Sequence, residues 1–132
     1  MEQYVVDTHP LLWYLAADER IGDDAKRILE KSEAGEINII VPAIVLIEAI
    51  GVIKKGKVIY NLDEFLLQIH QRNNFIIKNI DWEIIALFKD YTPPIPKDSH
   101  DKIIIVTAQY FGNIPIVTKD GDIQQAYSPT IW

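Results

Sequence analysis

Several carboxylates of this chain stand alone in apolar segments. Glu48 is the only charged residue between Ile39 and Ile53, and Asp7 directly follows a short apolar run. Asp101 opens a segment that continues with the apolar run 103–106, Asp120 follows the segment 114–119, and a further acid, Asp122, comes two residues later. Burying an unpaired carboxylate costs several kcal/mol or forces it to take up a proton. Four or five such residues, far apart in the sequence, therefore predict a positive species between them, and a divalent metal ion fits best.

The residue types narrow the choice of metal and of reaction. Magnesium and manganese prefer hard oxygen ligands, whereas His9, His70 and His100 lack the spacing of a zinc site and the chain has no cysteine. A carboxylate-rich magnesium site suits phosphodiester hydrolysis, because a bound metal ion lowers the pKa of water and generates the nucleophile. The sequence contains no glycine-rich phosphate loop of the GxxxxGK[ST] type.

Length and composition set further limits. The 132 residues predict a single domain spanning 1–132. The net charge of −6 argues against a non-specific coat on nucleic acid, but it is compatible with a nuclease because clustered catalytic acids contribute to it. There is no apolar run long enough to span a membrane and no basic segment of a signal peptide, so we expect a cytoplasmic protein.

Short apolar runs alternate with longer helical patterns along the chain. The patterns predict strands over residues 4–7, 37–41, 75–77 and 114–118, with a possible edge strand at 130–132. They predict helices over residues 10–17, 23–33, 43–54, 63–72, 81–88, 99–111 and 123–127. Ser99 is the expected N-cap of the sixth helix, and Asp122 suits an N-cap as well as a metal ligand. The helix at 43–54 is apolar almost all round, which predicts that it is buried.

This alternation predicts an α/β fold with a central parallel sheet of four to five strands between two layers of helices. Ligands bind at the carboxyl ends of the strands in such sheets. Asp7 and Asp120 each follow a predicted strand, while Glu48 and Asp101 lie near the starts of helices that begin at the same edge. The four acids are therefore expected to converge on one site.

The motifs around these acids resemble those of the PIN-domain family, and most of all its VapC group of toxins from toxin–antitoxin systems. The four acids occur in family order within the motifs VVDTH, VPAIVLIEA, HDKIIIVTA and IVTKD, and the similarity covers the whole chain. Asp122 stands where some members carry an accessory acid. Two departures are small: Lys102 replaces a frequent arginine, and Gly121 replaces a frequently larger residue.

The resemblance implies an endoribonuclease that depends on magnesium or manganese, forms a homodimer and is blocked by a cognate antitoxin. It implies that Asp7, Glu48 and Asp101 are the central catalytic and metal-binding acids, assisted by Asp120 and Asp122. Thr8 and Thr118 adjoin these acids and are expected to hydrogen-bond their carboxylates. Lysines for RNA binding are expected among Lys54, Lys55, Lys57, Lys102 and Lys119, although the first three equally suit the end of a helix.

Two alternatives remain open at the level of sequence. The first is a catalytically inactive PIN-fold scaffold, which would be expected to lose an acid, and none of the four is missing. The second is a haloacid-dehalogenase-like phosphatase, which also carries an aspartate after its first strand. That family normally has another aspartate two residues later, where this chain has His9.

Overall fold

The computed structural model describes residues 1–132, and its centre is a five-stranded sheet in which every neighbouring pair is parallel. The strands are β1 (Gln3–Val6), β2 (Asn38–Pro42), β3 (Phe75–Lys78), β4 (Ile116–Val117) and β5 (Thr130–Ile131). Their order in the sheet is β3-β2-β1-β4-β5, so β1 occupies the centre. This confirms the predicted parallel sheet and the predicted edge strand at the end of the chain.

Seven helices accompany the sheet. They are α1 (Thr8–Leu15), α2 (Asp23–Glu33), α3 (Ala43–Lys54), α4 (Leu62–Gln71), α5 (Trp82–Asp90), α6 (Ser99–Tyr110) and α7 (Gly121–Ala126). The ends of α2 and α3 coincide with the prediction, and the other helices differ from it by a few residues. None of the seven is both long and apolar enough to cross a membrane.

The central strands are buried on both faces of the sheet. Val5 and Val6 are fully inaccessible to solvent, as are Ile116 and Val117. Because consecutive side chains of a strand point to opposite faces, helices must cover the sheet on both sides. The fold is therefore the predicted α/β/α sandwich. Because the central strands are buried on both faces, their sequences are continuous apolar runs and do not alternate between apolar and polar residues.

The helix α2 shows how the pattern of apolar residues produces burial. Ala25, Ile28, Leu29 and Ser32 are its buried residues, and they follow the spacing of one helical face. Two acids, Asp23 and Asp24, lie in its first turn and Lys31 lies in its last turn, which complements the helix dipole at both ends.

The prediction that α3 is buried was wrong. Only Val45 and Ala49 are buried in this helix, and the side chain of Ile47 is 62% exposed. The apolar pattern correctly predicted a helix, but most of its apolar side chains are only partly buried and that of Ile47 is exposed.

Two N-caps also differ from the prediction. Asp98, not Ser99, caps α6, and its side chain accepts a hydrogen bond from the backbone N–H of His100. Asp120, not Asp122, caps α7, and its Oδ1 accepts from the backbone N–H of Ile123. In both cases aspartate occupies the position where its carboxylate satisfies a free N–H of the first turn.

The strand β4 is shorter than the predicted segment of residues 114–118. Pro115 has no N–H to donate to the sheet, so regular pairing begins only at Ile116. Beyond the strand, the N–H of Thr118 still donates to the carbonyl oxygen of Ile131 at 3.0 Å.

The end of the chain packs against the start of α2. A Cβ atom added at Gly22 would lie 2.7–2.8 Å from the backbone carbon and ring atoms of Trp132. The Trp132 ring also contacts the ring of Trp13 edge-on, with 5.8 Å between the centroids. Gly22 is therefore required by close packing, because its own backbone angles suit any residue.

We predict opposite effects for two glycine-to-alanine substitutions. Gly22→Ala should lower the free energy of unfolding by about 1–3 kcal/mol, because Trp132 must move to admit the methyl group. Gly51→Ala in α3 is the matched control: no atom lies within 4 Å of its added Cβ, so it should raise the free energy by about 1 kcal/mol. Urea unfolding of both variants measures the difference, and equal effects would contradict the proposed packing of Trp132.

Candidate active site

The sheet brings two of the acids together. Asp7 directly follows β1 and caps α1, and Asp120 follows β4 and caps α7. These strands are parallel neighbours in which Val6 pairs with Val117, and the N–H of Asp7 donates to the Val117 carbonyl at 3.0 Å. Both carboxylates therefore lie where the strands of the sheet have their carboxyl ends.

The other two acids come from helices. Glu48 lies in the middle of α3, and Asp101 lies in the first turn of α6. All four predicted acids line a single cleft of about 410 Å³. The complete lining is Asp7, Thr8, His9, Trp13, Glu48, Asp98, Asp101, Lys119 and Asp120.

The predicted site residues differ from this lining in two respects. Asp122 is exposed in the first turn of α7 and does not line the cleft. Asp98 does line it, although it is not among the predicted site residues. Its position directly before a helix is a capping signal, and a capping aspartate at the sheet edge can also face a site there.

Asp7 is the most deeply buried acid of the cleft, with 7% of the residue exposed. Its Oδ1 accepts from the backbone N–H of Thr8 and its Oδ2 accepts from the hydroxyl of Thr118, both at 2.7 Å. Burial nevertheless raises the pKa of Asp7 to about 6, because desolvation outweighs these two hydrogen bonds and the charges of Glu48 and Asp120 add to it.

Glu48 is held by a residue of α1. The hydroxyl of Thr8 donates to Oε1 of Glu48 at 3.0 Å, and Nδ1 of His100 lies 3.7 Å from Oε2. The hydroxyl of Thr118 accepts from the N–H of Asp120 at 2.9 Å while it donates to Asp7. Both threonines therefore contact the acids in this structure, and each joins residues from different elements.

The strongest electrostatic repulsion falls on Asp101. Burial raises its pKa to about 7, and the negative charges of Asp120, Asp7, Asp98 and Glu48 contribute in that order. No lysine or arginine forms an ion pair with any of the four acids, and His100 beside Glu48 is their only basic partner. The cleft thus concentrates negative charge that the protein itself does not neutralise.

A larger cleft of about 610 Å³ lies beside α1 and α2 and shares Trp13 with the first. Two of its acids are neutralised within the protein: Asp18 pairs with Arg20 and Glu33 pairs with Arg72. The smaller cleft is the better candidate for chemistry, because only there are buried acids left without cations.

The predicted RNA-binding lysines are dispersed. Lys119 lines the cleft, and Lys102 is partly buried next to Asp101. The three others, Lys54, Lys55 and Lys57, are exposed at the end of α3 and do not line the cleft.

Comparison with known proteins identifies the family. A family model for the PIN domain matches residues 4–128. The chain belongs to the PIN-domain family. This confirms the resemblance of the motifs and removes the phosphatase alternative.

Solved structures confirm the fold of this PIN domain, and 13 chains match significantly. One of them is the toxin VapC20 from Mycobacterium tuberculosis, described as cleaving the sarcin–ricin loop. It is 16% identical, with a TM-score of 0.70, and the match covers 93% of this chain and 94% of that one. Comparison with curated protein sequences gives no significant match.

The residues of this PIN domain suit a divalent cation in their chemistry. Asp7, Glu48, Asp101 and Asp120 offer hard oxygen donors, and a cation between them would relieve the repulsion that raises the pKa values of Asp7 and Asp101. The side chains do not, however, form a group of three or more that is already arranged to hold a metal ion. The donor set therefore fits the ion, while the ligand geometry is not preformed.

We predict that Asp7→Asn stabilises the metal-free protein at alkaline pH. Since folding raises the pKa of Asp7 from 3.8 to about 6, the ionised carboxylate destabilises the fold. This decrease in the free energy of unfolding is absent below about pH 4, grows as the pH rises through 6, and reaches about 3 kcal/mol above 7. Asparagine removes the charge and still caps α1.

Urea unfolding in EDTA at about pH 8 and pH 4 measures this effect. The variant should gain about 1–3 kcal/mol at the higher pH and little at the lower one. Glu36→Gln, which replaces an exposed carboxylate, should leave the free energy of unfolding unchanged. A stabilisation that is equal at both pH values would show that ionisation of Asp7 is not its cause.

Proposed function

We propose that this PIN domain is a metal-dependent endoribonuclease of the VapC type, the toxin component of a type II toxin–antitoxin system. The observation that carries the proposal is the convergence of four acids from four separate elements on one cleft without a lysine or arginine partner. The family and the fold support it, and the related toxin VapC20 is described as cleaving RNA. Such a substrate would place the protein in the cytoplasm.

In this proposal Asp7, Glu48 and Asp101 hold magnesium or manganese, and Asp120 assists. The bound ion supplies a water molecule of lowered pKa and stabilises negative charge on the phosphate. Asp122 is exposed outside the cleft, and the proposal does not require it as a ligand.

Two threonines orient the acids. Thr118 directs its hydroxyl hydrogen to Asp7 and accepts the N–H of Asp120, so it fixes two carboxylate-bearing segments relative to each other. Thr8 links Glu48 to the start of α1. Contacts of this kind hold ligands in the rotamers that a metal ion requires and so lower the cost of ordering them.

The direct test is cleavage of RNA by the antitoxin-free protein. Wild type should cut RNA with Mg²⁺ or Mn²⁺ and not with EDTA, and Asp7→Asn should lower the rate by roughly 100-fold or more, because loss of a metal ligand removes several kcal/mol of transition-state stabilisation. Glu36→Gln is the control and should cleave as wild type does.

Metal binding is measured separately through thermal unfolding. Mg²⁺ should raise the Tm of wild type more than that of Asp7→Asn, because a ligand that binds only the folded state stabilises it. If folded wild type neither cleaves total RNA nor gains stability from Mg²⁺, the catalytically inactive scaffold is the better interpretation. Cleavage that persists in EDTA would refute metal dependence.

The proposed partners are a cognate antitoxin and a second copy of the chain. Exposed apolar side chains in and near β3 and α5 support such contacts; they are Ile77, Ile80, Trp82 and Ile85, and Trp82 is 78% exposed. Single exposed apolar side chains are ordinary, but several that lie close together in the sequence are consistent with a protein–protein interface.

We expect sedimentation to give twice the mass of one chain for wild type. Trp82→Glu should shift the equilibrium to the monomer by about tenfold or more, because it places a charge in a desolvated contact. Ile59→Glu changes another highly exposed apolar side chain, on the connection between α3 and α4, and serves as the control. A monomer at all concentrations would contradict the homodimer.

A further inference from the structure

One wall of the acidic cleft is aromatic and cationic. It consists of His9 and Trp13 from α1 and Lys119 from the connection between β4 and α7, and we call these three residues the aromatic wall. The rings of His9 and Trp13 lie 5.4 Å apart between centroids, and Nζ of Lys119 lies 5.5 Å from the Trp13 centroid. The proposed catalytic machinery does not use these residues.

Lys119 is the only lysine or arginine that lines the cleft. It is exposed and makes no ion pair, although Asp120 follows it directly. Its ammonium lies over the rings of Trp13 and Trp132 instead, an interaction that leaves its N–H donors without acceptors.

Arg20 provides an internal contrast. Its guanidinium also lies over the ring of Trp13, at 5.0 Å. Two of its nitrogens, however, donate to the carboxylate of Asp18 at 3.0 and 2.7 Å, and it does not line the cleft. Of the two cations over Trp13, only Lys119 makes no ion pair and lines the acidic cleft.

His9 is exposed, whereas Trp13 beneath it is 6% exposed and belongs to the core. The His9 ring makes no hydrogen bond or ion pair within the protein, and its only ring contact is the tilted one with Trp13. A flat ring that is held from one side and open to solvent on the other provides a surface on which a base can stack.

We propose that the aromatic wall positions the RNA strand: an unpaired base next to the scissile phosphate stacks on His9, and Lys119 binds a neighbouring backbone phosphate. Trp13 is the positioning residue beneath both. A single RNA strand carries flat bases and negatively charged phosphates in alternation. The bases match the ring of His9, and the phosphates match the ammonium of Lys119 beside it. The inference rests on the proposed ribonuclease function and adds residues that select and orient its substrate.

The first experiment measures RNA binding without cleavage. The Asp101→Asn variant, in Mg²⁺ buffer, is titrated into a labelled single-stranded RNA of about 12 nucleotides and mixed sequence, and binding is followed by fluorescence anisotropy. Adding His9→Ala or Lys119→Met to this background should weaken binding by roughly tenfold each. His70→Ala and Lys31→Met, which change an exposed histidine on α4 and an exposed lysine on α2, are the matched controls.

The salt dependence of binding separates the two roles. Lys119→Met should reduce the slope of log K against log salt by about 0.7, the value for one phosphate contact on a single strand, and Lys31→Met should not change it. His9→Ala should leave the slope unchanged because stacking releases no counterions. His9→Phe, which keeps a flat ring, should restore most of the binding, a result that a merely structural role of His9 would not give.

Cleavage kinetics complete the test in the chain with Asp101 intact. His9→Ala and Lys119→Met should raise KM by roughly tenfold and change kcat far less, while the Tm stays within about 2 °C of wild type. RNA binding by the Asp101→Asn variant that His9→Ala and Lys119→Met do not weaken, or a KM for cleavage that neither substitution raises, would overturn the proposal. Absence of cleavage by wild type would instead refute the ribonuclease function, and the binding experiment would still decide the role of the wall.

Discussion

The structure of the cleft depends on the burial of one carboxylate, that of Asp7, at the carboxyl end of the central strand. Two hydrogen bonds, from Thr8 and Thr118, do not compensate its desolvation, and its pKa stays raised at about 6. The rest of the fold must therefore compensate the unfavourable free energy of burying Asp7. Burial of the apolar core provides this compensation. The core extends through the central strands and includes Val5, Val6, Ile116 and Val117. A stable scaffold can thus hold an unfavourable site in place.

The parallel topology explains why so few polar contacts suffice to assemble the cleft. Asp7 and Asp120 follow adjacent parallel strands, so the register of the sheet already brings both carboxylates to one edge. One hydroxyl, that of Thr118, then bridges the two segments. Helix N-termini contribute at the same edge, since Asp7, Asp98 and Asp120 all cap helices. Each of these carboxylates accepts a hydrogen bond from a backbone N–H in the first turn of its helix, which fixes its position at this end of the sheet.

The sequence predicted those parts of the site that follow from periodicity and topology. Strand ends determine where Asp7 and Asp120 lie, and the helical pattern of α2 determined both of its ends. The partners of the threonines could not be predicted, because Thr8 adjoins Asp7 in sequence while its hydroxyl binds Glu48, forty positions away. That choice depends on how α1 packs against α3. The exposure of Ile47 was missed for a related reason: an apolar helix face has the same sequence whether it packs against the chain's own core or remains open to a partner.

The acidic character of the chain and an RNA substrate are compatible for an electrostatic reason. The net charge of −6 includes the acids of the cleft, where a divalent cation would neutralise part of the charge that meets the scissile phosphate. In the proposed function, the carboxylates of the cleft would repel a phosphate backbone unless the ion is present, so metal binding and RNA binding would be coupled through these charges. Lys119 has a distinct role in this arrangement. Because its ammonium lies on aromatic rings and not on the neighbouring acids, its charge would be available to the proposed RNA strand and would not compete with a cation for the carboxylates. The aromatic support therefore keeps the positive charge of Lys119 apart from the negative charges of the cleft acids.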